Sequence, residues 1–153
     1  MGDIMGFDGI AHGRHGAQAI ALEDTEICVI PFEQLEQLCS RFEPLQRNLH
    51  QLLAREVERD QNLLLVVGGT RAEERVAAFL LDLSHRYHQR GYSSTEFVLR
   101  MTRREIGSYL GLKLETVSRL LSRFQAEGLI SVNKKTVRLL DLDGLRTLLG
   151  ERA

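Results

Sequence analysis

At 153 residues the chain has room for one domain or two small ones, and a hydrophobic content of 43% is that of a sequence with a folded core. The net charge of -1 would argue against a polyanionic partner, but it averages two unlike halves: residues 1–69 hold 5 Lys/Arg against 11 Asp/Glu, and residues 70–153 hold 15 against 10. Two cysteines, Cys28 and Cys39, are too few for a disulfide framework; no signal peptide is visible, no apolar run approaches a membrane span, and a cytoplasmic location is expected.

The first 31 residues are broken by Gly2, Gly6, Gly9, Gly13 and Gly16, which punctuate them as turns do. Ala17–Leu22 and Glu26–Ile30 read as two strands around the polar turn Glu23–Thr25, a pair that is marginal alone and leaves an open sheet edge. On the second strand Cys28 is expected to be a small buried apolar side chain. His12 and His15 lie near it in sequence and raise a metal site, although their spacing matches no standard zinc pattern. Pro31 ends the strand, and Phe32–Leu38 reads as a short helix.

A long helix is expected from about Glu43 to Val67. His50, Leu53, Val57, Asp60, Leu64 and Val67 are spaced 3, 4, 3, 4, 3, as the seam of a coiled coil is. Leu45, Leu49, Leu52 and Leu63 form a second apolar stripe. A helix apolar on two sides needs two partners, which points to a homodimer; burial inside a monomer is the alternative. Asp60 within the seam would face its twin, at a cost in repulsion and desolvation that Arg59 could relieve across the interface. Gly68-Gly69-Thr70 ends the helix as a hinge, so the expected divisions are 1–41, 42–69 and 70–153.

Beyond the hinge, Ala72–Arg90 reads as a helix with Val76, Phe79, Leu80 and Leu83 inward, and Phe97–Met101 as a strand. Thr102 and Glu105 form a capping box that starts a helix ended by Gly111. Ile106 and Leu110 share its buried face, and Gly107 between them admits a second helix closely. That second helix spans Leu114–Ala126, with Val117, Leu120, Leu121 and Phe124 on one face. Glu115, Ser118, Arg119, Ser122 and Arg123 lie on the other. Two such helices around a glycine turn make a helix-turn-helix.

The outer face carries base-reading chemistry. Arg119 can donate two hydrogen bonds to guanine, Glu115 can accept from a cytosine amino group, and Ser118 can meet several base edges. Phosphates repel an acid, so Glu115 beside Arg119 is informative; the alternative is an intrahelical ion pair four residues apart. Leu129–Val132 and Thr136–Leu140 read as a hairpin turning at Asn133-Lys134-Lys135, the wing of a winged helix, with Asp141 capping a last helix that ends near Gly150. Thr102, Arg103, Lys113, Ser122, Arg123, Lys134 and Lys135 are the candidate phosphate contacts, a solvated turn being the alternative for the two wing lysines.

The run MTRREIGSYLGLKLETVSRLLSRFQAEGLI resembles the DNA-binding motif of the cyclic AMP receptor/FNR superfamily of bacterial transcription regulators, and Glu115, Ser118 and Arg119 repeat the E-x-x-S-R spacing of its oxygen-responsive FNR/Anr branch. Lys113 departs from the pattern, where a better capping residue such as Thr is common. The resemblance implies a mainly helical α+β fold: the last strands of a truncated jelly-roll sensor barrel in 1–41, a dimerisation helix in 42–69, and a winged helix-turn-helix in 70–153. It implies a dimer whose Glu115, Ser118 and Arg119 read a TTGAT half-site of an inverted repeat, with RNA polymerase as a further partner. It places Asp60 where an acid opposes dimerisation until the sensor is loaded. It places Cys28 as one of four ligands to a 4Fe-4S cluster. Two cysteines cannot complete that set, so no cofactor is expected on this sequence. The other function class is a metal- or redox-sensing module centred on Cys28, His12 and His15. An enzyme is not expected, since no phosphate loop, metalloprotease motif or nucleophile–base set is present.

Overall fold

The computed structural model describes residues 4–69 and 71–150, together with all their side chains except those of 62, 63, 65–67 and 69. The chain divides into two compact units, Met1–Asn62 and Leu63–Ala153.

In the first unit, Phe7–Gly9 forms a short 3-10 turn and helix α1 (Phe32–Arg41) follows; helix α2 (Glu43–Gly69) begins in this unit and its last residues belong to the second. The two strands expected at Ala17–Leu22 and Glu26–Ile30 are not formed; the segment is irregular and every residue from Ala17 to Ile30 is exposed. A strand pair holds its register by burying one face. Here Ile20 and Val29 are 80% and 81% exposed, so neither alternation has a surface to cover. Cys28 is correspondingly exposed, which corrects the expectation of a buried strand residue. Helix α1 runs three residues beyond Leu38 and so places Cys39, buried, in its last turn. The long helix forms over the expected range. Leu45, Leu49, Leu52 and Leu53 are half-buried along it, whereas Val57 and Leu64 project into solvent at 56% and 72% exposure.

The second unit holds one core. Helix α3 (Ala72–Gln89) contributes Val76, Ala77, Phe79 and Leu80 to it. Strand β1 (Glu96–Val98) leads to α4 (Arg103–Leu110), α5 (Leu114–Ala126), β2 (Ile130–Asn133), β3 (Thr136–Leu139) and α6 (Leu142–Thr147). The three strands pair antiparallel in the order β1-β3-β2, with Phe97 opposite Val137 and Ile130 opposite Leu139. β1 is shorter than the expected Phe97–Met101, because the chain must leave the sheet to place Thr102 at the start of α4. One further bond, from Leu99 N–H to Lys135 O at 2.7 Å, holds that exit. Asp141 caps α6 by accepting from Gly144 N–H at 2.8 Å; the helix closes at Thr147, and one further turn reaches Gly150. Phe124, Leu80, Ile106, Leu110, Val117 and Leu145 are fully buried, so the sheet, α3 and α6 form the support on which α4 and α5 stand.

Candidate nucleic-acid interface

The pair α4–α5 is set by three local devices. Thr102 Oγ1 accepts from Glu105 N–H at 3.3 Å while Glu105 accepts from Thr102 N–H at 2.6 Å, a closed capping box at the start of α4. Those bonds commit Thr102 to capping and hold the Glu105 carboxyl below its ordinary pKa. Gly111 ends the helix at φ 65°, a conformation glycine adopts freely, and Leu112 N–H returns to Gly107 O at 2.8 Å. At Gly107 the close approach is real: a Cβ there would lie 2.5 Å from Leu112 O. The small residue lets the turn fold back on α4 and launch α5 across it.

Helix α5 then seals one face and opens the other. Val117, Leu121 and Phe124 are buried and Leu120 is half-buried against the core. Glu115 and Arg119 are exposed and Ser118 is half-exposed. The alternative of a Glu115–Arg119 ion pair is not realised: among the described residues neither side chain has a hydrogen-bond or ion-pair partner. Lys113 starts the helix with no side-chain cap, which leaves first-turn N–H groups to solvent or to an anion.

The other candidate contacts are placed less uniformly. Lys113, Ser122, Lys134 and Lys135 are exposed. Lys134 sits at the tip of the hairpin with φ 55°, in the left-handed region. Lys135 lies close enough to Glu105 to add to the depression of its pKa, so the wing approaches the start of α4. Arg103 is half-buried, and desolvation lowers its pKa. Arg123, at the far end of α5, is already engaged. It pairs with Glu73 from the first turn of α3 and with Glu127 at 3.2 Å, and its guanidinium carbon lies 5.7 Å from the Phe124 ring centroid. The hydrogen bond to Glu73, with the charges of Glu73 and Glu127, raises the Arg123 pKa.

Three residues that fix this surface escaped the sequence reading. Glu73 holds Arg123 across 50 residues of sequence, and Arg75 Nη1 donates to Leu110 O at 3.2 Å across 35. Gln125 Oε1 accepts from Val132 N–H at 3.0 Å and so ties α5 to the edge strand of the wing. No local spacing signals such pairs, because the partners lie on different elements.

On α2, His50, Val57, Asp60 and Leu64 are exposed and Leu53 is half-buried, while the Val67 and Leu63 side chains lie outside the described residues. Arg59 Nη1 pairs with Glu56 of its own helix at 3.0 Å. His12 is exposed; His15 Nδ1 lies 3.1 Å from Asp8 Oδ1, and Asp8 also accepts from Gly16 N–H. Among the described residues no three His, Cys, Asp or Glu side chains converge as a ligand set, so Cys28, His12 and His15 are not brought together. With Cys28 exposed and Cys39 buried on α1, the two cysteines of this sequence do not fit a four-thiolate cluster. Among the described residues no helix is long and apolar enough to cross a membrane.

Comparisons with known proteins bear on the same region. Residues 74–148 match the Crp-like helix-turn-helix domain. The chain is 52% identical over 152 residues to the transcriptional regulatory protein btr of Bordetella pertussis, covering 99% of this chain and 63% of that protein. It is 45% identical over 149 residues to the fumarate and nitrate reduction regulatory protein of Escherichia coli K12, covering 97% of this chain and 60% of that one. The chain thus spans less than two thirds of the length of these relatives. Among solved structures it is similar to FixK2 from Bradyrhizobium japonicum, with a TM-score of 0.71 and 33% identity, over 79% of this chain and 60% of that one. With the capped helix, glycine turn and outward face in place, these likenesses show that the chain belongs to the CRP/FNR superfamily, in its FNR branch.

Proposed function

We propose that this chain is the DNA-binding and dimerising part of a transcription regulator that reads an inverted repeat with TTGAT-like half-sites. One observation carries the reading: α5 presents Glu115, Ser118 and Arg119 outward and unengaged, while Val117, Leu121 and Phe124 lock its opposite face to the core. A helix so held can enter the major groove, where a free guanidinium meets guanine O6 and N7 and a free carboxylate meets the cytosine amino group. Lys113, Ser122, Lys134 and Lys135 surround that face and suit phosphate contacts, as does the uncapped start of α5.

The dimer reading rests on α2. Val57 and Leu64 expose apolar side chains on the 3-4 spacing that a parallel partner helix would cover, with Asp60 exposed between them. An inverted repeat read by such a dimer requires its two recognition helices about 34 Å apart, one turn of DNA. Oxygen or redox responsiveness, and contact with RNA polymerase, belong to the same reading through the family resemblance. Cys28 is the cluster ligand the resemblance assigns, and the remaining thiolates are not in this sequence.

The test is Arg119→Ala in a salt-controlled titration against an inverted-repeat duplex. A loss of about 1–3 kcal/mol, with relaxed preference at one base pair, is expected. Unchanged affinity together with unchanged preference would overturn the base-reading assignment.

A further inference from the structure

Glu115, Arg119, Arg123 and Glu127 recur every four residues, so they line a single ridge of α5 and its C-terminal cap. One end of the ridge, Glu115 and Arg119, is free; the other, Arg123, is held by Glu73 and Glu127. Glu73 belongs to the first turn of α3, and two residues on, Arg75 grips the last carbonyl of α4 at Leu110. The start of α3 therefore touches both helices of the motif, one on each side of the turn.

Burial of Val117, Leu121 and Phe124 sets which face of α5 points outward, but a small residual roll about its axis is enough to matter for base reading. A side-chain tip about 6 Å from a helix axis moves about 2 Å when the helix rolls by roughly 20°. Hydrogen bonds to a base edge tolerate about 0.5 Å. Val117, Leu121 and Phe124 resist translation through burial, but dispersion contacts are individually weak and non-directional. A guanidinium–carboxylate bond on the same ridge, one turn beyond Arg119, is directional and sets the roll.

We propose that Glu73, acting through Arg123, and Arg75, acting through the Leu110 carbonyl, are positioning residues that fix the roll of the recognition helix relative to α3 and so determine how sharply Arg119 discriminates bases. Arg123 is on this account a strut of the motif and not a phosphate contact. The inference rests on the base-reading function proposed above. Glu73 stands a few residues past the Gly68-Gly69 end of α2, so whatever reorients α3 reorients the reading face with it.

The test uses the purified chain and two duplexes at one salt concentration, an inverted repeat of TTGAT and the same repeat with its G·C pairs changed to A·T. The readout is the ratio of the two affinities. Glu73→Gln and Arg123→Gln are each expected to shrink that ratio by roughly three- to tenfold, the size typical of coupled neighbours. The swap Glu73→Arg with Arg123→Glu is expected to restore most of it, which a loss of folding would not. A ratio in Glu73→Gln equal to the parent's, with the parent discriminating, overturns this inference alone. So does a swap no better than either single variant. Equal weakening on both duplexes by Arg123→Gln, with a salt slope flatter by about one, assigns Arg123 to a phosphate and also overturns it. A parent that does not discriminate sinks the base-reading function and this inference together.

Discussion

Gly107→Ala is the substitution that most directly probes the geometry of the reading face. An added Cβ would lie 2.5 Å from Leu112 O, 3.5 Å from Leu112 C and 3.6 Å from Leu114 N. Ordinary van der Waals contact begins near 3.4 Å, so the backbone at Leu112 must retreat by about 0.9 Å, the difference between the two distances. The obstacle is a carbonyl and not the end of a flexible side chain. Moving it disturbs the bond from Leu112 N–H to Gly107 O and carries the start of α5 outward. Overpacking costs about 1–3 kcal/mol, and against a backbone obstacle the upper half of that range, about 2–3 kcal/mol, applies. Alanine in place of glycine inside a helix returns about 1 kcal/mol. The net destabilisation is therefore about 1–2 kcal/mol, or a fall of roughly 5–15 °C in Tm for a unit of this size. Thermal unfolding followed by circular dichroism measures it, and binding to the inverted repeat should weaken as α5 is displaced. Gly68→Ala is the control: nothing lies within 4 Å of a Cβ there, so no clash opposes the substitution and stability should not fall. A Gly107→Ala protein that melts at or above the parent's temperature refutes the close-approach argument.

Three further outcomes are expected. Lys134→Gly should relieve the left-handed backbone at φ 55° and raise stability by about 1 kcal/mol, yet weaken binding to all sequences alike and flatten the salt slope by about one; an unchanged slope would remove Lys134 from the phosphate contacts. Bonds from the backbone and hydroxyl of Thr102 lower the Glu105 pKa from 4.5, so this carboxylate stabilises the fold above that value and ceases to as pH falls through the depressed folded value. The stability gap between the parent and Glu105→Ala should thus be full above about pH 5 and close on further acidification; a gap independent of pH would show that the capping charge contributes nothing. Asp60→Ala should strengthen self-association in sedimentation equilibrium, since an exposed acid between Val57 and Leu64 opposes closure of an apolar seam; identical monomer–dimer constants would remove Asp60 from that role.

The helix-turn-helix was legible because its determinants are local. A capping box spans four residues, a turn glycine acts on its own φ, and one face of a helix repeats every three or four positions. Helix α5 accordingly spans Leu114–Ala126 as its periodicity indicates, and Gly107 and Gly111 act as their types suggest. The segment Ala17–Ile30 failed for the opposite reason. Alternation marks a face fit for burial, but the ladder and the surface it covers come from elsewhere in a fold, and here all of it is exposed. Cys28 shares that outcome, since its burial was inferred from the strand alone.

By itself the sequence determined which residues cap, turn and pack, and which charged side chains share the outer face of α5, because backbone conformation and helical period depend on neighbours only a few positions away. Only the tertiary structure decided which charges on α5 remain free. Arg119 and Arg123 are the same residue type on one ridge. One stands unengaged, and the other is drawn to an acid 50 residues earlier in the chain. An ion pair is set by distance in space, which folding creates and sequence separation does not record.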